Sequence, residues 1–523
     1  MVADEPEGQK TTGDAMTQLE AVMWVLDGDP RLASGFANLT ILDVVPDRDV
    51  LVTRMQDACK AVPRLRQRVV ERGQWSTPAW EDDPDFHIDH HIRWIDLGDD
   101  DLDQLAAAMS ARPFDRERPL WEFVVIEGLP DGAAAMVQRF DHTLTDGKGG
   151  IRLSAQFLDL ERHPDQALRA QDADPGSSPT GSQHNTAAES TAQTTNDERL
   201  SSDDRSAADL PPDDSRSGGL VRQAGGLVEQ AGGLVEQAAG LIDQAGKGLR
   251  AVVSVPVAAA RGAAQMPQNV GSLVGLARDS MQQIAVDRRR SPLWTARSTE
   301  RSFGRTAINL HDVKEAAHAL GGSVNDLFVT GALVAAARVH ADAGSPVEEL
   351  RVAIPVSHRG SASSGGNAFT PVHALLPSGD ISIVERFSLV HQRLDRVKRE
   401  GSVALDGPAA AARLLPPAAL LGIVGRTAGA IDFVCSNVRA APFDLYIAGA
   451  HLDGNYPLGP LLNTAFNLTT MSYRGWLFLG LLSDRAAVTD PDGLLAALDD
   501  AYTEVLSAGG VSRRRLPGHH QPA

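Results

Sequence analysis

Cysteine is nearly absent from this 523-residue chain: Cys59 and Cys435 are too few for a disulfide framework or a zinc set. Buried, unreactive thiols are the expectation. Positive charge is also short. The 49 Lys and Arg stand against 68 Asp and Glu, and the formal charge of −19 repels phosphates and argues against non-specific nucleic-acid binding. Long hydrophobic runs are missing too. A membrane span needs about 18 or more consecutive apolar residues, and the best stretch, 414–434, is interrupted by Pro416, Pro417, Arg426 and Asp432. The opening MVADEPEGQKTTGDAM is polar and acidic, so no signal peptide is expected, and the chain is placed in the cytoplasm or peripherally at a lipid surface. No glycine-rich phosphate loop joins its strands and helices, which speaks against a nucleotide-binding fold.

The length predicts two domains plus connecting material. After a disordered 1–13, residues 14–164 read as an α/β segment. Helical spacing marks Gln18 to Leu26 and Asp49 to Val62. Trp121 to Gly128 and Ala133 to Phe140 read as a hairpin closed by the turn residues Pro130-Asp131-Gly132. A second globular stretch, 301–510, opens with helices over His311 to Leu320 and Val324 to Ala341, for which Asp312 and Ser323 are the expected N-caps. Strands are expected at Arg351 to Val356 and Trp476 to Leu482, and a terminal helix over Asp490 to Leu506. A disordered tail is expected over 511–523.

Between the two stretches, 165–217 is Ser-, Thr-, Asp- and Gln-rich, an acidic linker expected to be disordered. Then 218–300 carries an amphipathic repeat: GGLVRQA, GGLVEQA, GGLVEQA and AGLIDQA run from Gly218 to Ala245 and align Leu220, Leu227, Leu234 and Leu241 on one helical stripe. Its glycines each cost about 0.8–1 kcal/mol relative to alanine, so the helix needs a surface. Three surfaces fit: its own protein, a neutral lipid interface, and a coiled-coil partner.

The hairpin's second strand delivers Asp141-His142-Thr143-Leu144-Thr145-Asp146-Gly147. Moving an acyl group from a thioester to an alcohol requires removal of the hydroxyl proton during attack, which a neutral imidazole near its working pH can perform. An aspartate four residues on, paired with an arginine, would order the turn after the strand. Gly147 would let the chain bend without filling the channel. H-x-x-x-D-G alone is a weak pattern, but its place at the end of a hairpin strand strengthens it.

In these residues the chain resembles the bacterial wax ester synthase/diacylglycerol acyltransferase family, within the CoA-dependent acyltransferase superfamily. The family signature is H-H-x-x-x-D-G. Arg118-Pro119-Leu120-Trp121-Glu122 is similar to its P-L-W block and Pro63-Arg64-Leu65-Arg66-Gln67-Arg68 to its P-x-L-R-x-R block. Leu19 to Trp24 resembles its opening motif, with Glu20 where aspartate is usual. Ser323-Val324-Asn325-Asp326, Ile354 to Ser357 with Gly366-Asn367, Ser436-Asn437-Val438, and Met471-Ser472-Tyr473 with Gly475 follow in the expected order. The resemblance implies an α/β fold of two chloramphenicol-acetyltransferase-like domains, each a mixed sheet flanked by helices, with an active-site channel between them. It implies that His142 is the general base and Asp146 structural, with Arg66 the candidate partner of Asp146. Asn325 and Asp326 serve either the oxyanion or helix packing. The co-substrate would be acyl-CoA and the acceptor diacylglycerol or a fatty alcohol, with no metal and no permanently bound cofactor. One departure stands out: Asp141 occupies the place of the family's first histidine. Adjacent strand side chains point to opposite faces, so activity is still expected, with a pH optimum shifted upward if the carboxylate comes near the imidazole. The reading from another class is an inactive lipid-binding or droplet-coating protein.

Other clusters carry less. Phe86-His87-Ile88-Asp89-His90-His91 reads as a structural strand rather than a metal site, Asp99-Asp100-Asp101 as a helix N-terminus, and His358 with Arg359 as a solvated loop.

Overall fold

The computed structural model describes residues 13–72, 77–145, 147–163, 289–355, 371–404 and 417–516. The linker and repeat, Asp146, Ser357 to Arg359, Gly366-Asn367 and His519-His520 lie outside them.

In the N-terminal half the order is β1 (Asp14–Ala15), α1 (Gln18–Leu26), β2 (Phe36–Leu42), α2 (Arg48–Ala61), β3 (Gln67–Val70), β4 (Ala79–Asp82), β5 (Ile92–Asp96), α3 (Leu102–Ala111), β6 (Trp121–Glu127), β7 (Ala134–Phe140) and α4 (Gly147–Ser154). The helices start where side chains satisfy otherwise unpaired N–H groups. Thr17 and Glu20 form a capping box on α1, Asp47 caps α2 and Asp101 caps α3. β6 and β7 pair antiparallel, and nearly every residue of both is buried. In the connection, Asp131 takes φ 60° and Gly132 φ 75°, left-handed conformations that aspartate tolerates and glycine favours.

The C-terminal half runs β8 (Arg301–Asn309), α5 (Leu310–Ala319), α6 (Val324–Asp342), β9 (Glu349–Pro355), β10 (Pro371–Pro377), α7 (Ile383–Ala404), α8 (Pro417–Gly429), β11 (Phe433–Arg439), β12 (Tyr446–Ile447), β13 (Ala450–Leu458), β14 (Phe466–Tyr473), β15 (Trp476–Asp484) and α9 (Pro491–Ala508). Six strands form a mixed sheet in the order β10-β9-β11-β14-β15-β8. α6 and α9 bury their apolar faces in the core beside it, with Phe328, Tyr502 and Phe433 among the fully enclosed rings. Among the described residues no single helix is long and apolar enough to cross a membrane, and the apolar pair α5–α6 is bent by 91°.

Four expectations change. First, the halves are not separate in the sheet: its order in the N-terminal half is β12-β13-β2-β7-β6-β5, so 446–458 leave the C-terminal half to pair with β2. β13 also passes close to the other sheet, and a Cβ on Gly480 would lie 1.9 Å from the Pro457 carbonyl oxygen. Second, the histidine-rich segment is not a strand. Ile88–His90 is a 3₁₀ turn, because His91 is buried by stacking on Trp121 at 4.5 Å and by its Nδ1 contact with the Trp121 carbonyl at 2.8 Å. Third, Asn309 rather than Asp312 caps α5, since β8 runs straight into the helix; its side chain accepts from His311 and Asp312 N–H. Fourth, the tail is ordered as far as 516. Val511 and Leu516 pack on the cores, Arg513 pairs with Asp499, and buried Asp312 accepts from the Arg514 N–H and pairs with its guanidinium.

Candidate active site

The hairpin fixes where the motif emerges. Phe140, the last residue of β7, pairs with Phe36 on one side and Trp121 on the other, and Asp141 N–H continues the ladder to the Leu120 carbonyl at 3.0 Å. The chain then turns tightly. Leu144 and Thr145 N–H reach back to the Asp141 carbonyl at 3.0 and 3.3 Å, while Asp141 Oδ1 accepts from Thr143 N–H and Oγ1 at 2.8 and 2.7 Å. This side-chain-closed turn is the local reason that an aspartate folds well at this position.

His142 sits on that turn and is only 8% exposed. Its ring lies 4.6 Å from Phe36, and Nδ1 is 3.2 Å from the Thr145 carbonyl oxygen. A carbonyl only accepts, so Nδ1 carries the proton and Nε2 is the basic nitrogen. In the neutral ring this contact selects the tautomer whose Nε2 can accept a proton. α4 begins at Gly147, the last residue of the motif.

A buried ion-pair network supports the strand pair beneath. Glu122 and Arg139 face each other across β6 and β7, and Arg139 Nη1 donates to Glu122 at 2.8 Å; Arg112 and Arg93 add two further cations. Burial pushes the Glu122 carboxyl up, but the Arg112 hydrogen bond and the charges of Arg112, Arg139 and Arg93 outweigh it and hold the carboxyl below its usual range.

Arg66 ends the 3₁₀ turn Pro63–Arg66, which is fastened to the base of β6 by Trp121 Nε1–H donating to the Leu65 carbonyl at 2.8 Å. Its own Nε donates to the Cys59 carbonyl at 3.0 Å; its expected partner, Asp146, falls outside the described residues. Asp326 is committed elsewhere. Its carboxylate accepts from Ser323 N–H and Oγ at 2.8 Å each, closing a capping box on α6, and meets His391 Nδ1 at 2.8 Å. Asn325 is half-buried beside it. Among the described residues no group of three or more His, Cys, Asp or Glu could hold a metal. Two surface cavities, of about 790 and 750 Å³, open beside α2 and β5 and beside Arg289 and Gly429; His142 lines neither.

Sequence reasoning did not single out Phe36, which lies far upstream of the motif, or the Thr145 carbonyl, which residue identity does not reveal.

Comparison with known proteins gives the family of the chain. The wax ester synthase/diacylglycerol acyltransferase catalytic domain matches residues 16–328, and the C-terminal domain of the same family matches 365–505. A Mycobacterium tuberculosis protein named as a diacylglycerol O-acyltransferase is 31% identical over 513 residues, covering 96% of this chain and 94% of its own length. A second one from that organism is 25% identical over 508 residues, 94% of each. Among solved structures, the wax ester synthase/diacylglycerol acyltransferase from Marinobacter aquaeolei VT8 superposes with a TM-score of 0.59 at 18% identity, over 95% of this chain and all of that one. The first condensation domain of the CDA synthetase shares the fold at a TM-score of 0.53 and 13% identity, over 97% and 100%. With both halves matched in order and the motif's histidine held at the end of β7, the chain belongs to the wax ester synthase/diacylglycerol acyltransferase family of acyltransferases.

Proposed function

We propose that the chain transfers a long-chain acyl group from acyl-CoA to the free hydroxyl of diacylglycerol, forming triacylglycerol, with His142 as the general base. The observation that carries this reading is the fixed tautomer of His142: Nδ1 is turned to the Thr145 carbonyl, which makes Nε2 the proton acceptor. In the reaction Nε2 takes the acceptor's hydroxyl proton as its oxygen attacks the thioester carbonyl. The C–S bond breaks, and the imidazolium returns the proton to the departing sulfur, releasing CoA. The acyl group passes directly between substrates. The names of the mycobacterial relatives favour diacylglycerol as acceptor. The name of the Marinobacter protein keeps a fatty alcohol, and hence wax ester, as the second reading.

The test is acyl transfer from palmitoyl-CoA to diacylglycerol and, separately, to hexadecanol. Wild type should form triacylglycerol in preference to wax ester, and His142→Ala should lose about 100-fold or more in kcat. Wild-type turnover no higher than that of His142→Ala with both acceptors would overturn the reading, and a preference for hexadecanol would replace it with the second. We further propose peripheral action at a neutral-lipid surface through the repeat at 218–245. Flotation with lipid particles should weaken when that repeat is deleted, and equal flotation removes its role.

A further inference from the structure

Behind the His142 turn stands a second carboxyl group. Asp27 is the C-cap residue of α1, where the helix's last carbonyls disfavour a negative charge. Its Oδ1 accepts from Ser34 N–H at 2.6 Å and Ser34 Oγ at 3.0 Å. Its Oδ2 is shut off from solvent with no donor among the described residues directed at it, and its neighbour is the carboxyl of Asp141, which is itself only 4% exposed. Asp141 Oδ1 is already occupied by the two Thr143 donors that fold the catalytic turn. Two carboxylates only accept, so a direct hydrogen bond between them requires a proton.

Among the described residues the surrounding charges do not relieve the pair. Asp29, on the same loop, is held by Arg31. Arg116 lies over the Trp24 ring at 3.5 Å and donates to the Trp24 carbonyl. Arg426, on α8, bonds its own helix at the Gly422 carbonyl. His142, next along the chain, turns Nδ1 to Thr145.

We propose that Asp27 and Asp141 share one proton, and that this acid pair positions the His142 turn in this chain, where the family carries a histidine. The inference rests on the reading of His142 as the base. Burial, reinforced by the Asp141 charge, lifts the Asp27 carboxyl from the ordinary 3.8 to about 8. The sign follows from linkage. The folded chain keeps a proton that the unfolded chain releases near 4, so the associated stability is complete below that pH, declines as pH rises, and is lost past about 8. Above that point both carboxylates are charged, they repel, and the turn that aims the imidazole loosens.

The experiment compares wild type, Asp27→Asn, Asp27→Leu and Asp141→Asn by kcat, KM and Tm from pH 6 to 9.5. A carboxamide at either position donates to the remaining carboxyl without titrating. In wild type kcat should fall above about pH 8 with KM nearly constant, and in both Asn variants this fall should move up by about one pH unit or more. Asp27→Leu, which keeps the bulk and loses the bond, should lower kcat about tenfold at pH 7 with little change in KM, and Asn should recover most of that loss. The alkaline decline in Tm should flatten in the Asn variants relative to wild type. Superimposable kcat–pH profiles and parallel Tm–pH curves for wild type and the Asn variants overturn the proposal, as does a wild-type kcat in Asp27→Leu. If one Asn variant does not fold, the other decides. A wild-type chain inert at every pH would defeat the function reading instead, while the Tm comparison would still judge the pair.

Discussion

At the scale of single residues, buried charge is the feature that most constrains the N-terminal half. The Arg139 side chain is 3% exposed and balanced by Glu122, which it faces directly across β6 and β7. Removing one member of such a pair leaves the other buried and uncompensated, which typically costs about 3–5 kcal/mol. Glu122→Ala should therefore lower the urea midpoint substantially, and acyl transfer should fall with it because β7 carries the His142 turn; an unshifted midpoint would show that Arg139 finds another partner. The pH dependence has the opposite sign to that of Asp27. Glu122 is held below the ordinary 4.5, so its contribution is complete above that value and is lost as pH falls through its lowered folded value. Thiol chemistry supplies a second residue-scale prediction. Burial pushes the Cys59 thiol up to about 12 and the Cys435 thiol higher still. Neither should react with a thiol reagent in the native protein, and both should react on denaturation; fast labelling of either in the fold contradicts this placement.

At the scale of elements, what the sequence made legible was what local chemistry decides. The expected N-cap Ser323 placed α6, amphipathic spacing placed α9, and the turn residues Pro130-Asp131-Gly132 between two β-rich runs placed the hairpin that leads to His142. The errors occurred where a distant partner overrides a local signal. His91 belongs to a turn because Trp121 captures it, and Asp312 is a buried acceptor for Arg514 instead of a cap. The histidine of the motif was visible, but the carbonyl that orients it and the Asp27 that backs it were not, since a backbone carbonyl carries no residue signature and Asp27 lies far upstream. The tail follows from the same cause. Its composition is that of a disordered end, yet residues 511–516 supply the partners of Asp312 and Asp499. Truncation after Gly510 should leave the Asp312 carboxylate buried without its donor and destabilise the protein by about 2 kcal/mol, measured as a lowered midpoint in denaturant. A truncated chain with the full-length midpoint would mean that Asp312 is satisfied by other groups.

At the scale of the molecule, the sequence suggests two domains joined by an insert, whereas the hydrogen bonds join two halves that complete each other. β13, from the C-terminal half, pairs with β2 along Leu452 to Leu458, and β2 in turn flanks the strand that ends at His142. Arg305 on β8 reaches Asp103 on α3 in a partly buried ion pair, a second tie between the halves. Without β13 the β2 edge would present unpaired backbone groups and lose the cover of Tyr456 and Leu458, both enclosed in the N-terminal core. An exposed edge of that kind templates aggregation. Residues 1–163 expressed alone should therefore be insoluble, or soluble only as aggregates. Co-expression with 289–523 should return a soluble, co-purifying pair, because the missing strand is supplied in trans. If 1–163 alone is monomeric and melts cooperatively, β13 is an accessory to that sheet; if the co-expressed pair forms but does not transfer acyl groups, the covalent insert contributes more than the connection between the halves.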